Sequence, residues 1–186
     1  VSRAWNYEIW IANNSAFTII ANASNTTGLS FTPAALPDGK VYWRVRVWDS
    51  AGNPGSWSAV RTLTIDTTGP TASISTPVSG SNLSGVIVIN GTASDATAGL
   101  DRIELFSGGC GTAPIGNVTS SPFSFSWRTT AADDGNKTLC VRAIDKAGLN
   151  VNSTTVAVTV DNTPPSSVSI ISVSNNRTSG SFLYVS

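Results

Sequence analysis

Apolar and polar side chains alternate with a period of two along most of the chain, and no segment shows a helical period. The clearest runs lie near residues 41–48, 139–144 and 156–160, where every second residue is apolar. A period of two places one set of side chains on one face of a strand and the rest on the other. Clusters of Asp, Asn and Gly, which favour turns, separate the runs. The pattern therefore predicts an all-β fold.

The chain also repeats itself. The segment VRVWDSAGN at 45–53 matches VRAIDKAGLN at 141–150, and TIDTTGP at 64–70 matches TVDNTPP at 159–165. Asp66 and Asp161 stand 95 residues apart, which is the length of one β-sandwich domain. A third repeat then begins, because residues 168–186 share the pattern of residues 72–90.

These repeats divide the chain into a domain at 1–69 that lacks its first two strands, a complete domain at 70–163, and two opening strands of a following domain at 164–186. In the first block, strands are expected near 5–12, 16–21, 28–32, 40–48 and 58–65. In the second block, they are expected near 72–76, 85–93, 101–106, 113–118, 122–128, 137–144 and 152–160. Pro and Thr stiffen the links at 66–70 and 161–165, so we expect the sandwiches to be extended end to end.

The two broken blocks are complementary. Together they hold 92 residues, close to the 95-residue repeat, and a sandwich without two strands would expose its core and a sheet edge. We expect the last strands of one copy to complete the first domain of the next. The copies are either consecutive repeats of one long chain or separate subunits that donate strands; the alternative is a chain cut at arbitrary points.

Several longer segments resemble known families. YEIWIANNSAF (7–17) and LPDGKVYWRVRVWDSAGNPGSWS (36–58) resemble the fibronectin type III-like repeats of prokaryotic surface proteins. GTASDATAGLDRIELF (91–106) and DGNKTLCVRAIDKAGLN (134–150) are similar to the bacterial and archaeal immunoglobulin-like domains that occur in tandem in such proteins. The resemblance implies an extracellular or cell-surface setting. It transfers no functional residues, because such modules serve as spacers, adhesive domains and filament units alike.

Composition narrows the function further. The net charge is zero and only 12% of residues are charged, so neither nucleic acid nor an anionic membrane is an expected partner. No apolar run is long enough to span a bilayer, so no membrane insertion is expected in this segment. The chain has no Met and no signal peptide, which suggests an internal piece of a longer precursor. Without His, it has no Ser–His–Asp or Cys–His arrangement, and we expect no enzyme activity.

Cys110 and Cys140 are the two cysteines, and we expect them to form a disulfide, with two separate buried thiols as the alternative. Cys140 lies on a predicted central strand. Cys110 follows the predicted strand at 101–106, which neighbours that strand in an immunoglobulin-like sheet. An oxidising compartment would preserve the bond.

The acidic residues predict no firm metal site and no cofactor. Asp95 and Asp101 flank one turn, and Asp133 and Asp134 share another. Ca²⁺ is the best candidate for an ion that these four carboxylates could bind. The favoured interpretation is that they form turns through their own side chains.

Trp10 and Trp48 fall on outward positions of neighbouring strands, where they could contact a sugar or another copy. Shielding by Arg44 and Arg46 through stacking is the favoured alternative. N-glycosylation sequons are the stronger surface signal: nine are present, whereas the Ser and Thr content would give about four by chance. They begin at Asn13, Asn22, Asn25, Asn82, Asn90, Asn117, Asn136, Asn152 and Asn176.

The leading function is a structural repeat unit of an extracellular filament, stalk or layer. Its expected partners are covalent N-glycans and adjacent copies of itself or consecutive repeats. The alternatives are an adhesive or carbohydrate-binding module and a spacer in an extracellular enzyme.

Overall fold

The alternating runs of both main blocks fold into β-strands. A computed structural model describes residues 4–167, 170–173 and 183–185, the last two ranges by their backbone alone. Its one helix among these residues is a single 3-10 turn, Ala131–Asp133, and no helix there is long and apolar enough to cross a membrane. The all-β prediction is confirmed.

Residues 4–65 form one antiparallel sheet with the strand order β2-β1-β3-β4. The strands are β1 (Asn6–Ala12), β2 (Ile20–Thr26), β3 (Gly39–Trp48) and β4 (Arg61–Ile65). Odd-numbered residues of β1 and β3 point to one face, as the alternation predicts, and even-numbered residues point to the other. In this part of the chain only Ile11, Ala12, Phe17 and Val41 are fully buried apolar residues.

Residues 71–160 form two facing sheets. The smaller sheet has the order β10-β7-β5, and the larger has the order β6-β13-β11-β8-β9, with β12 also paired to β11. The strands are β5 (Thr71–Thr76), β6 (Asn82–Leu83), β7 (Val86–Ser94), β8 (Leu100–Phe106), β9 (Gly116–Val118), β10 (Phe123–Arg128), β11 (Gly135–Asp145), β12 (Asn150–Asn152) and β13 (Val156–Val160).

A single hydrophobic core lies between these two sheets. Ile89 and Trp127 from the smaller sheet pack with Ile103, Leu105 and Val141 from the larger one. Burying one such side chain contributes about 1.5–3 kcal/mol. This is the closed sandwich that the second block predicts.

Two short strands follow, β14 (Ile170–Val173) and β15 (Leu183–Val185). They pair antiparallel with each other and, within the described residues, with no other strand. Two strands are thus present in this block, and their assignment to the start of a following domain stays a prediction.

Two expected strands of the first block are wrong. The strand expected near 16–21 begins only at Ile20, because a loop intervenes in which Asn14 accepts the Thr18 N–H (3.0 Å) and Phe17 adopts a left-handed backbone (φ 58°). The strand expected near 28–32 does not form. A strand needs a neighbour to bond with, and this segment has none within the described residues.

Candidate functional site

The inward face of the first sheet is an open apolar cleft. Ile9 and Ile11 of β1 line it together with Val41, Trp43 and Val45 of β3. Its volume is about 480 Å³. Leu63 on β4 lies at its border and is 54% exposed, although it points to the same face. A sheet face this apolar is normally covered, so the cleft marks a place for a further piece of polypeptide.

The second domain shows what covers the equivalent face. There β7 pairs with β10 on one side and with β5 on the other, and these three strands close the sandwich over the larger sheet. In the first block, residues 28–32 stand at the chain position of β10, between the sheet's second and third strands. Leu29 in this segment is 94% exposed. The first block therefore lacks counterparts of β5 and β7 within the described residues.

The outward face of the same sheet carries a stack of tryptophan and arginine side chains. The Arg44 guanidinium lies 5.1 Å from the Trp10 ring and 4.4 Å from the Trp57 ring. The Arg46 guanidinium lies 4.5 Å from Trp57 and 4.9 Å from Trp48. We call these five residues the Trp–Arg stack. Each cation over an aromatic face contributes about 0.5–1 kcal/mol at a partly exposed site.

Glu8 holds the stack together from one side. Its Oε1 accepts the Trp10 indole N–H (2.8 Å), and its Oε2 accepts both the Trp48 indole N–H (2.9 Å) and Arg46 Nε (2.6 Å). Burial alone would raise the pKa of Glu8, but these hydrogen bonds outweigh burial and the pKa lies below its ordinary value of 4.5. The carboxylate is therefore ionised at neutral pH.

We expect Glu8→Gln to destabilise the first sheet by about 1–3 kcal/mol at pH 7, because an amide offers one acceptor oxygen to three donors. A lowered pKa means that the wild-type advantage is complete above pH 4.5 and disappears as the pH falls through the folded-state pKa. Urea unfolding followed by tryptophan fluorescence at pH 7 and pH 3 measures both effects. An equal gap between the two proteins at both pH values would contradict this role of the charge.

The indole N–H groups and ring faces that a sugar would contact are already occupied by other members of the stack and by Glu8. Both indole N–H groups of Trp10 and Trp48 are bound to Glu8, and each ring carries an arginine on one side. The arrangement is the mutual shielding that the sequence favours for this pair.

Cys110 and Cys140 form the expected disulfide, with a Cα–Cα distance of 5.4 Å. Cys140 lies on β11 opposite Phe106 of β8, and Cys110 lies in the loop that follows β8. The bond therefore fastens the loop between β8 and β9 to the centre of the larger sheet.

The four candidate calcium ligands separate in the structure. Asp101 pairs with Arg102 (2.8 Å), and Asp133 caps its own 3-10 turn at Thr130. Asp134 binds the link at 162–163, where the Thr163 hydroxyl and the Asn162 N–H hold its pKa below the ordinary value. Asp95 is the exception, because it lies beside Asp66 and Asp145.

Two family models match the two main blocks of the chain. Residues 70–141 match the family model described as bacterial Ig domain, and residues 4–68 match that of the Rha78A-like, N-terminal immunoglobulin domain. The two main domains are immunoglobulin-like. The chain is similar to a solved structure of Clostridium thermocellum CbhA fibronectin(III)-like modules, at 23% identity and a TM-score of 0.42, covering 48% of this chain and 94% of that one. No curated protein matches the chain.

Immunoglobulin-like domains of bacteria and an internal disulfide are both consistent with an extracellular location. Asn176 lies outside the described residues. Asn22 and Asn90 are half-buried, and the other six sequon residues are exposed. Five sequons begin on strands at the borders of the immunoglobulin-like sheets: Asn22 and Asn25 on β2, Asn82 on β6, Asn117 on β9 and Asn152 on β12.

The sequence pattern does not reveal three of the residues that matter here. Glu8 and Trp57 belong to the Trp–Arg stack and its anchor, and Asp145 belongs to the carboxylate cluster. A signal was available for Asp145, because the internal repeat aligns it with Asp49 and aligns Leu149 with Asn53. Trp57 lies in a loop, where alternation carries no information.

Proposed function

We infer that this chain is a structural repeat unit of an extracellular filament, stalk or layer. Strands from residues 164–186 of an adjacent copy complete its first immunoglobulin-like domain. The adjacent copy is either the preceding repeat of one long chain or a separate subunit. The proposal assigns no catalytic role to this segment.

The open cleft is the observation that carries this proposal. The segment at 28–32, which pairs with no strand among the described residues, borders this apolar sheet face. The face therefore needs two strands, one to pair with that segment and one beyond it. Both tasks are performed in the second domain by β7 and β5, which pair antiparallel. The strands β14 and β15 are also an antiparallel pair, and their segment repeats the pattern of residues 72–90. They are therefore suited to the same position.

Head-to-tail completion leads naturally to a long assembly. Each copy would supply strands to the next and receive strands from the one before, and such a contact does not close on itself. Backbone hydrogen bonds would provide affinity, and alternate side chains would fill the cleft. N-glycans at the border strands would shield the remaining edges from wrong pairing.

A tandem protein of two 186-residue copies tests the proposal against a single copy. We expect the amides of β1 and β3 to exchange more slowly in the second copy of the tandem than in the single copy at low concentration. The reason is that strands from the first copy would close the cleft of the second. Because the two copies share one sequence, hydrogen exchange read by mass spectrometry should show the β1 and β3 peptides of the tandem as two populations, one protected and one that exchanges as in the single copy.

The matched control replaces residues 164–186 of the first copy with a Gly/Ser linker of equal length. Protection of the second copy's first sheet should then fall to the level of the single copy. If all three proteins exchange alike at β1 and β3, the terminal strands do not complete the domain and the proposal is wrong.

A further inference from the structure

Three segments that are far apart in sequence meet at the junction between the two domains. They are the link at 66–69, the loop at 95–99 after β7, and the turn at 145–149 after β11. Ala98 N–H donates to Asp66 Oδ2 (2.9 Å), and Lys146 N–H donates to the Gly99 carbonyl (3.0 Å). One carboxylate oxygen each from Asp66, Asp95 and Asp145 lies within 4.8 Å of the other two.

Backbone donors fix each carboxylate in place without neutralising it. Asp95 Oδ1 accepts the N–H groups of Thr97 (3.1 Å) and Gly99 (2.7 Å). Asp145 Oδ1 does the same for its own turn through Ala147 (2.8 Å) and Leu149 (2.9 Å). The carboxylates are thus oriented in advance by bonds that use only part of their acceptor capacity.

Asp145 carries the clearest sign of a missing partner. Its side chain is 2% exposed, and its Oδ2 is buried with no hydrogen-bond partner. The equivalent Asp49 in the first domain has no such deficit, because the amide of Asn53 donates to its Oδ2 (3.1 Å). In the second domain, Leu149 replaces that asparagine and cannot donate from its side chain. A buried carboxylate oxygen without a partner is costly unless a cation compensates it.

No cation of the described chain takes this role. None of the ion pairs among the described residues includes one of the three aspartates. Lys146 is the nearest basic residue in sequence; its side chain is exposed, with Nζ beside Gly99. Three carboxylates this close repel one another, so their arrangement calls for an external positive charge.

We propose that Asp66, Asp95 and Asp145 bind a calcium ion at the junction between the two domains. Ca²⁺–oxygen distances of about 2.3–2.6 Å place opposite ligands about 5 Å apart, which suits oxygens within 4.8 Å of one another. Mg²⁺ requires a near-ideal octahedron at about 2.0–2.1 Å and loses its water reluctantly, so carboxylates held on three separate segments suit calcium better. Water completes the coordination of the calcium ion.

The site would stiffen the link between the domains. Asp66 belongs to the link, whereas Asp95 lies in a loop of the second domain and Asp145 ends its strand β11. A shared ion therefore joins the end of one domain to the start of the next. In a filament or stalk, calcium would then reduce bending at each such junction.

Titration calorimetry of the full 186-residue chain after EDTA treatment tests the site with CaCl₂ as the probe. We expect one saturable site per chain and a higher melting temperature with calcium. Asp145→Asn keeps Oδ1 for the turn but replaces Oδ2 with an amide, so calcium affinity should fall at least about tenfold. In EDTA this variant should melt no lower than the wild type, which shows that it folds.

Asp95→Asn should weaken binding in the same way, whereas Asp101→Asn, on an exposed carboxylate outside the cluster, should bind as the wild type does. Failure of the wild type to bind at millimolar calcium would overturn the proposal. So would equal affinity of Asp145→Asn and wild type, or an equal effect of MgCl₂. None of these results depends on whether the first domain is completed by another copy.

Discussion

Reducing the disulfide between Cys110 and Cys140 should lower the free energy of unfolding of the second domain by about 3–4 kcal/mol. The bond closes a loop with a sequence separation of 30 residues and so restricts the unfolded chain. For a domain of this size, the loss corresponds to a melting temperature lower by roughly 12–25 °C. It is the largest stability effect that we expect from a single covalent change.

The folded state itself should survive reduction. The loop after β8 keeps two backbone hydrogen bonds to the cysteine-bearing strand, from Gly109 N–H to the Thr138 carbonyl (2.7 Å) and from Thr138 N–H to the Ser107 carbonyl (3.2 Å). Arg142 also donates to the carbonyl of Cys110. The effect should therefore arise mainly through the unfolded state, with little change in structure.

Urea unfolding with and without a phosphine reductant measures the loss, and hydrogen exchange of peptides from β8 and β11 assigns it to the second domain. The double variant Cys110→Ala with Cys140→Ala is the control, because the reductant should not change its midpoint. A wild-type midpoint that does not move on reduction would contradict a stabilising disulfide.

The alternation of apolar and polar residues predicts more of this fold than any other feature of the sequence. It places the side chains of β1 and β3 on the correct faces, and it locates the two strands whose neighbourhood explains the disulfide. It fails at 28–32, where the pattern is that of a strand but no neighbouring strand is present among the described residues. The alternation of apolar and polar residues indicates which face of a strand each side chain prefers. It does not indicate whether a neighbouring strand is present to accept and donate the backbone hydrogen bonds.

Turn chemistry limits the prediction elsewhere. The loop before β2 depends on Asn14 as an acceptor and on a left-handed backbone at Phe17, a residue for which such a conformation is rare. Nothing in the apolar pattern indicates it. The strand expected near 16–21 therefore begins four residues later, at Ile20.

The candidate sites were harder to predict because they join distant segments. Asp66, Asp95 and Asp145 meet only once the link and the two turns of the second domain are in place. Asp133 and Asp134 are adjacent in sequence, yet Asp133 caps its own turn whereas Asp134 binds the distant link at 162–163. The sequence is sufficient to predict that Trp10, Trp48 and the two arginines lie near one another, because they occupy outward positions on paired strands. Its anchor Glu8 could be found only as the acidic residue on the same outward face of β1 as Trp10.

Gly91→Ala should destabilise the second domain by about 3 kcal/mol, at the upper end of the usual cost of overpacking. Gly91 lies in the middle of β7, opposite Phe123 of β10 and Ile74 of β5. A Cβ at this position would collide with the Ser73 carbonyl oxygen and with the Phe123 ring. The carbonyl belongs to the backbone of a paired strand, so it cannot move without disturbing the ladder that closes the sandwich.

Alanine substitutions at two other glycines should destabilise the domain less than Gly91→Ala. In Gly116→Ala the atoms nearest to the new Cβ belong to the ring of Phe125, a side chain that can rotate, so we expect a smaller loss. Gly111→Ala would meet nothing within 4 Å and should be close to neutral. Thermal unfolding of the three variants should therefore rank Gly91 below Gly116 and Gly116 below Gly111 in stability. If Gly91→Ala melts with Gly111→Ala, β5 and β7 do not approach as closely as the structure shows. The pair β5 and β7 would then be a poor guide to how the proposed strands complete the first domain.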